Sequence, residues 1–114
     1  FLTINKNKMT ATEFIHALPS KVNADAISGM ETVFHFDVDG DGGGKYTVVL
    51  RDGKMEVLEG LVGESKCSVK TTNDNFMGVI SGSLNPLMAI MMGKLKINNQ
   101  GEMLKYAKIF GLMK

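Results

Sequence analysis

Residues 66–80 read KCSVKTTNDNFMGVI, and the hydrophobic period changes inside that stretch. Up to Thr72 the side chains alternate. Cys67, Val69 and Thr71 fall on one side and Ser68 and Lys70 on the other, the period-two pattern of a strand with one buried face. From there Phe76, Met77, Val79 and Ile80 follow helical spacing, and Asn73 or Asp74 is placed to cap the helix. The chain thus passes from a region of strands to a region of helices, which is the mark of an α+β fold.

Upstream, Phe34, Phe36 and Val38 alternate with His35 and Asp37, which predicts a strand from about Glu31. The Asp39-Gly-Asp-Gly-Gly-Gly44 run is a turn. A second strand over 45–51 carries Tyr46, Val48 and Leu50 on one face, and Asp52-Gly53 is a hairpin turn into a third strand over 54–59. These three strands form an antiparallel meander, and residues 66–72 supply a fourth. Ahead of the meander, Thr10-Ala-Thr-Glu13 reads as a capping box for a helix bearing Phe14, Ile15 and Leu18. Pro19 is expected to end that helix at Leu18, and a second short helix is expected over 20–28. Residues 1–9 are polar and Lys/Asn-rich after Phe1-Leu2 and are expected to be loose.

Downstream, Asn85-Pro86 restarts a helix, residues 87–92 are apolar on every side, and Gly93 stops it. Residues 94–97 alternate as a short fifth strand, and 102–112 form a final helix. The expected architecture is a largely antiparallel five-stranded sheet with helices packed on one face.

The length, 114 residues, suits one domain over 1–114. Thirteen basic against twelve acidic side chains leave a net charge of +1, which argues against a polyanion-binding protein whose whole surface is basic, and no nucleic-acid partner is expected. The single Cys67 forms no intramolecular disulfide. The longest wholly apolar run, 87–92, is far too short to span a membrane, and the N-terminus lacks the apolar core of a signal peptide, so the expected location is cytoplasmic. No catalytic residue, metal or cofactor is read from the chain. The stretch Asp37-Val-Asp39-Gly-Asp41-Gly42 opens like a calcium loop, but Val48 stands where the bidentate Glu belongs. Residues 40–45 lack the spacing, the hydroxyl and the helix of a phosphate-binding loop. Cys67 is an inward-facing thiol, and His16 and His35 have no evident catalytic partner.

What stands out is the apolar set. There is no Trp, yet there are nine Met, and Met77, Met88, Met91, Met92, Met103 and Met113 all lie in the last third of the chain. Residues 76–80, 87–92 and 103–113 are nearly apolar around the helix. On composition alone such stripes read as filled core. The alternative is an incompletely filled interior that takes a flexible apolar ligand, to which Met adapts well. Charge is uneven too: residues 93–114 hold Lys94, Lys96, Lys105, Lys108 and Lys114 against Glu102 alone. Singly these are solvated side chains; together they suit an anionic headgroup or membrane surface.

Gly82-Ser-Leu-Asn-Pro86, then Ala89, then Gly93-Lys-Leu-Lys-Ile97 and a final apolar helix resemble the sterol carrier protein type-two family. Tyr46-Thr-Val-Val-Leu-Arg-Asp-Gly53 resembles its aromatic-led hairpin, and Val69-Lys-Thr-Thr72 with the helix after it resembles its next two elements; the likeness spans about 30–112. The resemblance implies a five-stranded sheet with helices on one face enclosing an apolar tunnel. It implies binding and transfer of fatty acids, fatty acyl-CoA or sterols without catalysis, and here an acyl chain is the favoured ligand. On this reading Phe34, Phe36, Val48 and Leu50 form a sheet wall, and Phe76, Ile80, Leu84, Leu87, Met88, Met91 and Met92 a helical wall. Leu104, Ala107 and Phe110 form a lid. The expected partners are a lipid and a transient anionic membrane contact. The rival readings are an interaction or homodimerisation module using the last helix, and a substrate-gathering accessory domain of an enzyme.

Overall fold

The computed structural model describes residues 9–109. The expectations for residues 1–8, for the last helix beyond Ile109 and for Phe110 lie outside the described residues. Helix α1 (Ala11–Lys21) is followed by strands β1 (Thr32–Asp39), β2 (Gly44–Arg51), β3 (Lys54–Glu59) and β4 (Cys67–Thr72). Helix α2 (Asn73–Ser81), helix α3 (Pro86–Met91), strand β5 (Leu95–Ile97) and helix α4 (Gln100–Tyr106) complete the order.

The sheet runs β3-β2-β1-β4-β5. The meander is as expected: β1 pairs antiparallel with β2, and β2 with β3. Its second turn follows from chemistry, because Asp52 and Gly53 both have positive φ, 54° and 71°, the tight-hairpin geometry whose twist matches the strands. Strand β4 joins parallel to β1, so the sheet is mixed, and β5 closes the far edge antiparallel to β4. A parallel neighbour needs a crossover. Residues 60–66 supply it by crossing the outer face: Thr47 Oγ1 donates to the Gly60 carbonyl at 2.7 Å and accepts the Val62 N–H at 2.8 Å. His35 Nε2 donates to the Val62 carbonyl at 3.0 Å, and the Lys66 N–H bonds the Val33 carbonyl. These bonds satisfy Thr47, which is buried although polar.

The opposite face carries the core. Along β1, Thr32, Phe34, Phe36 and Val38 are buried and the residues between them are not. Tyr46, Val48 and Leu50 continue that face on β2, and Cys67, Val69 and Thr71 on β4. Helix α1 lays Phe14, Ile15 and Leu18 on it. The aromatic rings form a connected set: Phe34 stacks on Phe36 at 6.0 Å, Phe36 meets Phe76 edge-on at 6.0 Å, and Phe76 meets Phe14 edge-on at 5.8 Å. Such contacts contribute about 0.5–1.5 kcal/mol each beyond the area they bury.

The helix ends show where local chemistry prevailed. The capping box is present: the Glu13 N–H bonds Thr10 Oγ1 at 3.1 Å and the Thr10 N–H bonds Glu13 Oε1 at 3.0 Å. Pro19, however, lies inside α1, which runs on to Lys21. Its missing N–H costs one bond, but the Val22 N–H still closes the last turn on Leu18. The second helix expected over 20–28 is absent. Helix α1 has taken its first two residues, and the Asn23 side chain accepts the Asp25 N–H at 2.8 Å, turning the backbone instead. The cap of α2 is Thr72, not Asn73 or Asp74; Asn73 Oδ1 accepts the Ala11 N–H at 2.7 Å and ties the start of α2 to the start of α1.

Candidate functional site

Three short elements follow α2, and each has a defined start. Asn85 Oδ1 accepts the N–H groups of Leu87 and Met88, with Pro86 in the first turn of α3. Gly93, at φ 77°, then reverses the chain, and the Lys94 N–H bonds the Ala89 carbonyl. Only Gly adopts that backbone freely, so α3 ends there and β5 begins two residues later. Asn99 Oδ1 accepts the Glu102 N–H and starts α4.

Between α3, β5 and α4 lies an apolar cleft lined by Pro86, Leu87, Ile90, Leu95, Ile97, Met103, Leu104 and Ala107. Every lining side chain is apolar. Its volume is about 30 Å³, room for a water or two and not for an acyl chain. Two of the lining side chains stand in solvent at its mouth: Leu87 is 58 % exposed and Leu104 57 %.

The sequence-derived residues divide into groups. Phe34, Phe36, Val48 and Leu50 lie on the inner sheet face, all nearly fully buried; Phe34 meets the Tyr106 ring edge-on and Phe36 meets that of Phe76. Phe76 is core, and Ile80 and Leu84 are half-buried at its margin. Leu87, Leu104 and Ala107 line the cleft; Met88, Met91 and Met92 stand outward on α3. Where Phe34, Phe36 and Phe76 meet, the space between sheet and helices is filled by the rings themselves. The tunnel implied by the resemblance is not open at that place.

The cleft also contains residues that sequence reasoning did not select: Pro86, Ile90, Leu95, Ile97 and Met103. The alternation of Leu95 and Ile97 with Lys94 and Lys96 was the signal for two of them. Ile90 and Met103 look like any other apolar position in segments that are apolar all round.

Polar chemistry near the cleft is sparse. Cys67 Sγ donates to the Asn99 carbonyl at 3.5 Å, and burial, aided by the charge of Glu102, pushes its thiol up to about 11. A thiol held protonated is a poor nucleophile. Glu102 Oε2 accepts from Thr32 Oγ1 at 2.5 Å, and burial first, then the same carboxylate, raises the Tyr106 phenol. On the outer sheet face Asp37 lies 3.5 Å from Lys45 and 3.3 Å from Lys70, so its charge is met by lysines on both neighbouring strands. Among the described residues, no three His, Cys, Asp or Glu side chains gather where a metal ion would sit.

A family model described as the SCP-2 sterol transfer family matches residues 11–114. The chain belongs to that family.

Among curated relatives of this SCP-2 chain, Hydroxysteroid dehydrogenase-like protein 2 of Xenopus tropicalis is 34% identical over 104 residues, which is 89% of this chain and 25% of that protein. Sterol carrier protein 2 of Homo sapiens is 35% identical over 77 residues, 64% of this chain and 14% of that protein. The chain thus spans about a quarter of the length of the first relatives it matches. Among solved structures, the inverting sec-alkylsulfatase Pisa1 from Pseudomonas matches with a TM-score of 0.75 at 21% identity, over 95% of this chain and 17% of that one. Palmitated SCP2L2 from Aedes aegypti matches at 0.68 and 16% identity, over 90% of this chain and 95% of that one. These structural likenesses establish the fold. Membership of the SCP-2 family supports lipid binding or transfer in general. Such a domain is typically a non-enzymatic lipid-binding fold, and it also occurs within enzymes. Among the described residues no helix is long and apolar enough to cross a membrane.

Proposed function

We propose that residues 1–114 act as one lipid-binding unit that takes up an acyl chain, as a fatty acid, a fatty acyl-CoA or a similar ligand, and releases it without chemistry. The observation that carries this reading is the cleft between α3, β5 and α4: an all-apolar lining with the exposed Leu87 and Leu104 side chains at its mouth. Ligand entry needs α3 and α4 to move apart, because the cleft is far smaller than an acyl chain. Two features favour such movement. Met103 in the lining repacks readily around new shapes, and β5 holds the region to the sheet through three residues. Each methylene buried would contribute about 0.8 kcal/mol before the costs of association. The sheet face bearing Phe34, Phe36, Val48 and Leu50 would then form the floor. A structural relative solved in palmitated form supports the acyl chain as ligand. We place the protein in the cytoplasm, consistent with its one free, buried thiol.

The test is native mass spectrometry of freshly purified protein with organic extraction, followed by displacement of a fluorescent fatty acid. A stoichiometric lipid, or tight displacement, is the expected result. Leu104→Lys changes an exposed position in the cleft lining, so the fold should persist while uptake is lost. A folded protein that comes empty and never competes for an acyl chain overturns the reading.

A second reading rests on the coverage by relatives. In the dehydrogenase-like protein and in the sulfatase the matching segment is a quarter or less of the whole. The same cleft would there gather apolar substrate for a neighbouring catalytic domain, and co-purification with such a domain would favour it.

A further inference from the structure

Among the described residues, methionine occupies two kinds of place. Met55 and Met103 are buried, 8 % and 5 % exposed, and Met30 and Met77 pack half-buried against the core. There the adaptable thioether side chain fills space, which explains its use. On α3 it does not fill space. Met88 is 56 % exposed, Met91 84 % and Met92, at the C-cap, 58 %. At 3.6 residues per turn these three fall within about 100° of arc, so they share one side. Met9, 41 % exposed, is far from them in sequence and has no methionine beside it.

Leu is as apolar as Met and forms helix equally well. Leu87 occupies such an exposed position on the same helix. What Leu lacks is a sulfur whose lone pair a peroxide can oxidise. We propose that Met88, Met91 and Met92 form a site of reversible oxidation by peroxides, which turns this side of α3 from apolar to polar. The sulfur attacks the outer oxygen of the peroxide and the O–O bond breaks. Sulfur gives up two electrons and keeps that oxygen as a sulfoxide, while the remaining oxygen takes the proton and leaves as water or as an alcohol. A sulfoxide reductase reverses the step: the oxygen departs as water and two thiols become a disulfide. The structure suits this chemistry in two ways. The three thioethers stand in solvent and hold no part of the core, so the fold tolerates their oxidation. Cys67, the other oxidisable sulfur type, is fully buried and does not compete. Met91 lies one turn after Leu87, so the change in polarity adjoins an apolar residue of the cleft. The inference rests on exposure and spacing, and it holds whether or not the cleft takes up an acyl chain.

The experiment treats the purified chain with hydrogen peroxide and, separately, with a fatty-acid hydroperoxide. Sulfoxides are located by peptide mass mapping at successive times, and the apolar surface is read by retention in hydrophobic-interaction chromatography. Met88, Met91 and Met92 should oxidise more than about tenfold faster than Met55 and Met103, which react only in the fraction of molecules that has opened. Retention should fall while circular dichroism stays unchanged, and the two methionine sulfoxide reductases with dithiothreitol should restore it. Faster reaction with the fatty-acid hydroperoxide at equal concentration assigns a lipid peroxide as the oxidant; otherwise the assignment is to hydrogen peroxide. The combined variant Met88→Leu, Met91→Leu and Met92→Leu should fold, and its retention should not respond to peroxide. Oxidation of the α3 methionines no faster than that of Met55 and Met103 overturns the proposal. So do sulfoxides that the reductases leave in place on the folded chain, and an undiminished loss of retention in the combined variant.

Discussion

Met103→Ala separates the two demands on the cleft, because Met103 is 5 % exposed and lines it. The change removes three methylene-sized groups, a transfer loss of about 2.4 kcal/mol. The space left behind adds a cavity cost, so the total should fall within about 2–5 kcal/mol, the range for buried Met→Ala changes. That loss is the outcome for the empty protein. A ligand that occupies the cleft fills the same space, and burying three further methylenes would recover about 2.4 kcal/mol. The assay is urea denaturation with and without a saturating fatty acid, read beside displacement of a fluorescent acyl chain. The expected pattern is a large drop in midpoint without ligand, a smaller drop with it, and acyl-chain affinity equal to or tighter than that of the unaltered chain. A variant that loses stability equally with and without ligand, and binds the acyl chain no better, would refute the placement of the ligand between α3, β5 and α4.

Thr10→Ala removes the α1 cap and should lower the stability read from urea midpoints by about 1 kcal/mol. Gly53→Ala forces a side chain into positive φ at the β2–β3 turn and should cost about 1–2 kcal/mol in the same assay. Burial raises the Cys67 thiol from 9.0 to about 11 in the folded chain. The unfolded chain therefore loses that proton first, and this contribution to stability is fully present below pH 9 and lost as pH rises through 11. Denaturation midpoints of the unaltered chain should fall across that window more steeply than those of Cys67→Ala. Iodoacetamide should label Cys67 at mildly alkaline pH only in denaturant.

The strands were legible because each has one dry face. Phe34, Phe36 and Val38, and then Tyr46, Val48 and Leu50, announce that face by alternation alone, and Asp52-Gly53 names its own turn. The capping box at Thr10 and the break at Gly93 were legible for the same reason, since each is a local bond or a local dihedral. The errors came where two local solutions competed. Pro19 reads as a stop, yet a proline near the end of a helix forfeits one bond that the next turn replaces. Asn73 reads as a cap, yet its side chain serves a backbone N–H of α1, far away in sequence. The parallel entry of β4 beside β1 depends on residues 60–66 crossing the outer face, which no short window contains. The cleft was the least legible feature. Periodicity tells which side of an element is dry; it does not tell how far apart two dry sides stand. Phe34 and Leu87 look equally suited to wall a cavity in the sequence, and in the structure one is sealed core and the other stands at the rim.

Strand β5 has three residues and a single sheet neighbour, β4. The aromatic core is anchored on the long central strand β1, which is bonded on both sides. Free energies of local opening follow such differences in contact and bonding. In hydrogen exchange, the amides of α3, β5 and α4 should therefore open as one low-energy unit while those of β1 and β2 exchange only through global unfolding. The chain is built as a hard body with a soft margin, joined where Tyr106 of α4 meets Phe34 of β1.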